Sequence, residues 1–199
     1  VSVKFFDFDS LPVGARIGTG SVRRAAQLLH LRDDLKIEDI RGNVDTRLQK
    51  LEDENFDAII LASAGLTRLG LAGRITYEFL PDRLMPAVGQ GALGLETRAD
   101  DNATLSLIQP MNHSESYHRA IAERSMLRTL FAGCLAPVGA RTSIANEVLT
   151  LEGIVLSRDG KERIHSIMSM NLEQSVELGI AVATKLIESG ADKLLARDD

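Results

Sequence analysis

Between residues 15 and 70 the chain alternates short extended runs with amphipathic ones. Its most apolar extended run, "DAIILA" (57–62), shows no polar–apolar alternation after its first residue. A strand on a half-exposed sheet alternates, whereas one covered on both faces reads as a continuous apolar run. Such a strand needs helices on both sides, and the neighbouring pieces supply them. Residues 15–19 read as a strand ending at Gly18. Ser21 caps a helix with Val22, Ala25, Ala26 and Leu29 on one face. "LKIEDI" (35–40) alternates like a strand, Asn43 caps a helix lined by Val44, Leu48 and Leu51, and "SAGLTRLG" is a short helix closed by Gly70. This order predicts a parallel sheet with helices on its faces.

The rhythm breaks at "LMPAVGQGALGLETRADD" (84–101), where Pro86, Gly89, Gly91 and Gly94 mark a crossover and 92–97 reads as a strand. Residues 114–133 form a helix capped by Ser114, with Tyr117, Ile121, Met126, Leu127 and Leu130 as its apolar face and Gly133 at its end. Strands follow at 138–145, 148–157 and 162–170, with "SRDG" (157–160) as a hairpin turn. A last amphipathic helix ends at Gly190. The expected fold class is α/β: a parallel-sheet lobe followed by a small α+β domain with a three-stranded antiparallel sheet. The expected division is 1–85, a crossover at 86–111, and 112–199.

Charge narrows the function. The net charge is −5 and aromatic residues make up 4%, which argues against a nucleic-acid partner or a base-stacking platform. Yet residues 13–50 carry a net +3, and arginines outnumber lysines 17 to 6. Arg presents a planar fork matched to carboxylate or phosphate. In an open α/β sheet, ligands sit at the carboxyl ends of strands. The first turn there delivers Thr19, Gly20, Ser21, Arg23 and Arg24, the second Arg41 and Arg47, the third Ser63, Ala64, Gly65 and Arg68. Cations at a helix N-terminus are unfavourable unless an anion faces them. Gly18-x-Gly20 suggests a dinucleotide loop only weakly, because Arg23 holds the third glycine position.

Metal binding has no support in ligand spacing: one Cys and four scattered His. The single Cys134 rules out an internal disulfide and fits a reducing cytoplasm or organelle matrix. It lies past a helix C-terminus, which raises a thiol pKa, and taken alone reads as a small buried hydrophobe. His30 and His165 read as surface or boundary residues, and Glu123–Arg124 as a solvated helix face or a domain-packing contact. No run approaches the ~20 apolar residues of a membrane span, so no membrane partner is expected.

Six motifs in order, "GTGSVRRAAQL", "DIRGNVDTRLQKL", "DAIILASAGLTRLGL", "PAVGQGALGLETR", "AERSMLRTL" and "GCLAPVGA", resemble the hydroxymethylbilane synthase (porphobilinogen deaminase) family from about residue 16 to 195. Gly20 stands where a serine is usual, and Ala132 where the family has glycine. The resemblance implies a transferase of tetrapyrrole (heme) biosynthesis that joins four porphobilinogen units into hydroxymethylbilane with loss of ammonia. The growing pyrrole chain is built on a dipyrromethane cofactor held by a thioether to Cys134. Arg23, Arg24, Arg41, Arg47 and Arg68 match carboxylate-binding positions. Thr19, Ser21, Ala64, Gly65, Gln90 and Gly91 match residues lining the cleft. The family's paired lobes are similar to periplasmic-type binding proteins, so the first lobe is expected to be of that kind.

By the same resemblance about the first third of the family's chain, with its catalytic aspartate, is expected to be missing. No residue here is assigned that role. The chain alone is then expected to be inactive and without cofactor, and to self-associate through 86–111. The competing reading is a non-enzymatic polycarboxylate-binding module. A thiol enzyme acting through Cys134 finds no base placed for it.

Overall fold

The computed structural model describes residues 1–53, 56–133 and 135–196. Three short strands, β1 (Arg16–Gly18), β2 (Lys36–Glu38) and β3 (Ala58–Ile59), form a parallel sheet in the order β2-β1-β3. Helices α1 (Val22–Leu31), α2 (Val44–Asp53) and α3 (Ser63–Arg68) follow the three strands in turn. The expected alternation of strand and helix is therefore present. The strands are shorter than the apolar runs, however: of "DAIILA" only Ala58 and Ile59 enter the ladder.

Gly18 explains how closely the layers meet. A Cβ there would lie 3.0 Å from Ile59 and 3.2 Å from Ile40. The caps form as the sequence requires. Ser21 Oγ accepts the Arg24 N–H at 3.4 Å, and Asn43 Oδ1 accepts that of Thr46 at 2.9 Å.

The buried face of α1 is rotated from the expected one, sharing Ala26 with it. Arg23, Ala26, Gln27 and Leu28 are buried, while Val22, Ala25 and Leu29 are half-buried. Arg23 and Gln27 lie one turn apart on a face that meets backbone, so polar side chains belong there (below).

Residues 92–97 are not a strand. They have no regular structure, and Leu93 and Leu95 are 96% and 60% exposed. A strand needs a neighbouring edge to hydrogen-bond with, and none lies beside this stretch among the described residues. The chain resumes regular structure in α4 (Asn102–Ile108) and α5 (Ser114–Thr129). The cap of α5 is His113, whose Nδ1 accepts the Ser116 N–H, and not Ser114. Tyr117 is exposed, and the buried positions are Ala122, Glu123, Met126 and Leu130. The helix stops at Thr129, short of Gly133, because Phe131 turns into a left-handed conformation (φ 51°).

β4 (Val138–Ala145), β5 (Val148–Leu156) and β6 (Arg163–Asn171) form the antiparallel sheet in the order β4-β5-β6. α5 and α6 (Ser175–Glu188) cover one face, and α7 (Ala191–Leu195) follows Gly190. The core between them includes Leu149, Leu151, Leu178, Val182 and Leu186, all fully buried. Burying each such side chain contributes about 1.5–3 kcal/mol.

The two sheets are joined by α1. Its Ala26 packs with Met85, Ile154 and Leu156. Its C-terminal half seats the β5–β6 hairpin, where His30 Nδ1 donates to the Gly160 carbonyl at 2.8 Å. His30 is thus a boundary residue between the lobes, and His165, on the surface, contacts Glu152 at 2.9 Å.

Gly160 has φ +72°, and a Cβ there would lie 2.6 Å from both the Ala26 carbonyl oxygen and the His30 nitrogen. Gly160→Ala is therefore expected to cost about 3 kcal/mol through backbone strain and overpacking. His30→Ala, which removes one hydrogen bond, is expected to cost about 1 kcal/mol. Urea denaturation of both variants checks the order; equal costs would mean that the hairpin is not seated on α1.

Candidate functional site

The carboxyl ends of β1 and β3 open into a cleft of about 500 Å³ lined by Arg23, Arg24, Ile60, Ser63, Pro86 and Gln90, among others. Arg23 and Arg24 reach it because Ser21 starts α1 immediately after the β1 turn. The turn uses Thr19 and Ser21 for itself. Thr19 is buried, its N–H donates to the Glu38 carbonyl, and its hydroxyl accepts the Ser21 N–H at 3.3 Å.

Arg24 Nη1 donates to the Ile60 carbonyl at 3.2 Å, on the chain leaving β3. Arg23 is 7% exposed. Its Nη1 donates to the Met85 carbonyl, and its Nη2 to Gln90 Oε1 at 3.3 Å. Neither guanidinium has a carboxylate partner among the described residues. Burial, and then the charge of Arg24, lowers the Arg23 pKa to about 10. Burial, and then the charge of Arg47, lowers that of Arg24. Both remain cations at neutral pH. Arg23, Arg24 and Arg47 thus repel one another, while the acidic residues that line the cleft, Asp7 and Glu78, form no ion pair with Arg23 or Arg24 among the described residues.

The other expected residues are less tightly gathered. Arg47 Nε donates to the Gly42 carbonyl at 2.8 Å. Arg41 is 88% exposed and paired with Asp39 at 2.7 Å. Arg68 ends α3 and is exposed, as is Ala64. Gly65 faces open space where a Cβ would stand. Gly91 is exposed with φ +90°. Cys134 lies outside the described residues. Among the described residues no group of His, Cys, Asp and Glu could hold a metal ion, and no helix is long and apolar enough to cross a membrane.

Two residues complete the site and carried little signal in the sequence. Gln27 is buried; its Oε1 accepts the Met85 N–H at 2.7 Å and its Nε2 donates to the Met85 carbonyl at 3.0 Å. The available sign was its spacing four residues from Arg23, on the same helical face. Glu123 is also buried. It accepts the Gly89 N–H at 2.7 Å and the Thr142 hydroxyl at 2.9 Å, which makes it the domain-packing contact. Arg124 is exposed. The stretch 85–91 is therefore held from both lobes, and the Pro86 carbonyl also accepts the Ala140 N–H of β4 at 3.0 Å.

Burial raises the Glu123 pKa, against the opposing pull of its two donors. The native state then binds the proton more readily than the unfolded chain. The resulting stability is present at low pH and is lost as pH rises through the raised value. Relative to Glu123→Gln, the native protein is expected to lose stability as pH rises above the ordinary glutamate range. Thermal melts of both proteins across that rise test this; parallel curves would show that the buried carboxylate titrates normally.

A cradle of unpaired guanidiniums fits a small polycarboxylate. A family model described as "Porphobilinogen deaminase, dipyromethane cofactor binding domain" matches residues 1–106, and one described as "Porphobilinogen deaminase, C-terminal domain" matches 117–188. The porphobilinogen deaminase of Pelotomaculum thermopropionicum is 47% identical over 95% of this chain and 61% of its own. That of Syntrophotalea carbinolica is 46% identical over 96% and 61%, and that of Thermus thermophilus 49% over 94% and 62%. The chain thus spans about 61% of the length of these relatives.

Proposed function

This chain belongs to the porphobilinogen deaminase family, and we propose that it serves the joining of four porphobilinogen units into linear hydroxymethylbilane with release of ammonia. Its part is to hold the acidic arms of the pyrrole chain. The observation that carries this reading is the placement of Arg23 and Arg24 at the cleft with no acidic partner among the described residues. Each pyrrole brings two carboxylates, and an Arg–carboxylate bond in a partly dry site is worth roughly 1.5–3 kcal/mol.

Arg24 and Arg47 would grip the arms, and Arg41 and Arg68 would meet units further out on the exposed rim. Ser63 and Gln90 would orient the arms. Thr19, Ser21 and Gly65 shape the strand-end turns that leave room for the ligand. In this reading the parallel lobe is one half of a binding-protein-like cleft spanning 1–85, residues 86–111 cross over, and 112–199 carry Cys134. That residue is the point of attachment for the dipyrromethane group, which when bound supplies the primer on which pyrrole units are joined. Positioning by the arginines turns an encounter into an oriented reaction. The exposed apolar stretch with Leu93, Leu95 and Leu107 is where a second copy would associate, a point that light scattering decides.

Arg24→Ala is expected to weaken binding of porphobilinogen, followed by calorimetry, at least ten-fold. Raised salt is expected to weaken binding by the unaltered protein as well. Undiminished affinity in Arg24→Ala would place the carboxylate site elsewhere.

A further inference from the structure

We propose that β6 is the surface on which two copies of this chain pair, antiparallel across a two-fold axis through Ile167, so that two three-stranded sheets become one of six strands. The inference concerns the outer edge of the antiparallel sheet and stands apart from both the cleft and the stretch 86–111.

The two edges of that sheet differ. On β4 the Leu156 N–H donates to the Pro137 carbonyl at 3.1 Å, and the register then turns the backbone groups of Ala140 and Thr142 outward. That edge is sealed. The Ala140 N–H donates to the Pro86 carbonyl at 3.0 Å, and the Thr142 carbonyl accepts from Arg119 Nη1 at 3.2 Å. On β6 the Ser157 N–H donates to the Glu162 carbonyl and the Leu172 N–H to the Glu147 carbonyl, both at 2.9 Å. With the register, this directs the backbone of Ile164, Ser166, Met168 and Met170 to β5. The outward groups belong to Arg163, His165, Ile167 and Ser169, and no hydrogen bond reaches them among the described residues. The strand also lacks the usual guards of a free edge. It holds no Lys and no Pro, and its pairing with β5 runs without a bulge over nine residues. Ile167 is 55% exposed and Met168 36%.

A free edge is completed by a strand, and β6 suits a second β6. Antiparallel pairing about Ile167 sets Ile167 against its own mate, His165 against Ser169 and Arg163 against Asn171 of the second copy. Outward groups then fall opposite outward groups, which is the condition for exchanging hydrogen bonds. No like charges oppose each other. The two Arg163 side chains stand at opposite ends of the contact, about 27 Å apart at ~3.4 Å per residue, beyond the screening length of ~8–10 Å. Parallel pairing would set Arg163 against Arg163, so charge favours the antiparallel arrangement. Two exposed isoleucines meet at the axis, and each Met168 lies opposite Ser166 of the second copy. A contact one strand wide belongs to the small, transient class of interfaces. The dimer is therefore expected to dissociate on the order of 10–100 μM.

The test uses the axis. Leu93→Asp with Leu95→Asp, both at exposed positions, first removes 86–111 as a contact. The mass of this parent is followed by light scattering up to about 1 mM, well above the expected dissociation constant. It is expected to rise from 21.7 kDa toward twice that value. Adding Ile167→Lys or Ile167→Glu opposes like charges at the axis, and each is expected to weaken pairing roughly ten-fold. An equimolar mixture of the two sets Lys against Glu and is expected to regain it. Hydrogen exchange of the parent reads the register without these variants. The His165, Ile167 and Ser169 amides are expected to slow as concentration rises, while those of Ser166 and Met168, already bonded to β5, stay unchanged. A parent mass fixed at 21.7 kDa overturns the proposal. So does association that survives Ile167→Lys, a mixture no more associated than its components, or exchange that does not alternate along β6.

Discussion

The Met85 peptide is the constraint on which the arrangement of this molecule turns. Its N–H and carbonyl are both taken by Gln27, its carbonyl also accepts from Arg23, and the next carbonyl, of Pro86, pairs with β4. A single stretch of backbone is thus shared by helix α1 of the parallel lobe and by the antiparallel sheet. A connecting segment between lobes would ordinarily run over the surface with water satisfying its polar groups. This one passes inside, so each buried group needs a protein partner. The polar face of α1 exists to provide them. Ala26, Ile154, Leu156 and the Met85 side chain then close around the same point.

The same helix has a second task, and the two conflict electrostatically. Arg23 and Arg24 sit together where α1 begins, next to Arg47 and partly out of water. Like charges in such a site lower native stability. Several arginines elsewhere are paired: Arg16 with Glu38, Arg32 with Asp34, Arg83 with Asp9, Arg141 with Glu152. Arg23 and Arg24 instead meet carbonyl and amide oxygens, acceptors that carry no counter-charge.

Much of this was legible in the sequence because the signals were local. Caps, turn glycines and the apolar run of "DAIILA" depend on neighbours in sequence, and they gave the strand–helix order and both sheets. The arginine-rich strand ends followed from that order alone. What stayed hidden depended on distant partners. The run 92–97 has strand composition, but a strand is a property of two segments, and no second one lies beside it among the described residues. Gln27 drew no reading because nothing in sequence announces that Met85 returns against it 58 residues later. His30 is similar: its partner, the Gly160 carbonyl, is 130 residues away. Glu123 read equally well as solvated or packed, and only the fold chose.

The preference for arginine at the cleft follows from the double duty of Arg23. Burial brings its pKa down to about 10, which still leaves it fully charged at neutral pH. A lysine starts about two units lower, and the same burial would bring it nearer to losing its charge. Geometry weighs the same way. The guanidinium fork addresses two acceptors lying side by side in its plane, here the Met85 carbonyl and Gln90 Oε1. An ammonium at the end of a flexible stem would have to leave one acceptor to reach another. With a fork, one nitrogen holds the Met85 backbone while the other holds the Gln90 amide, and the cation stays fixed where the connecting segment passes between the two lobes.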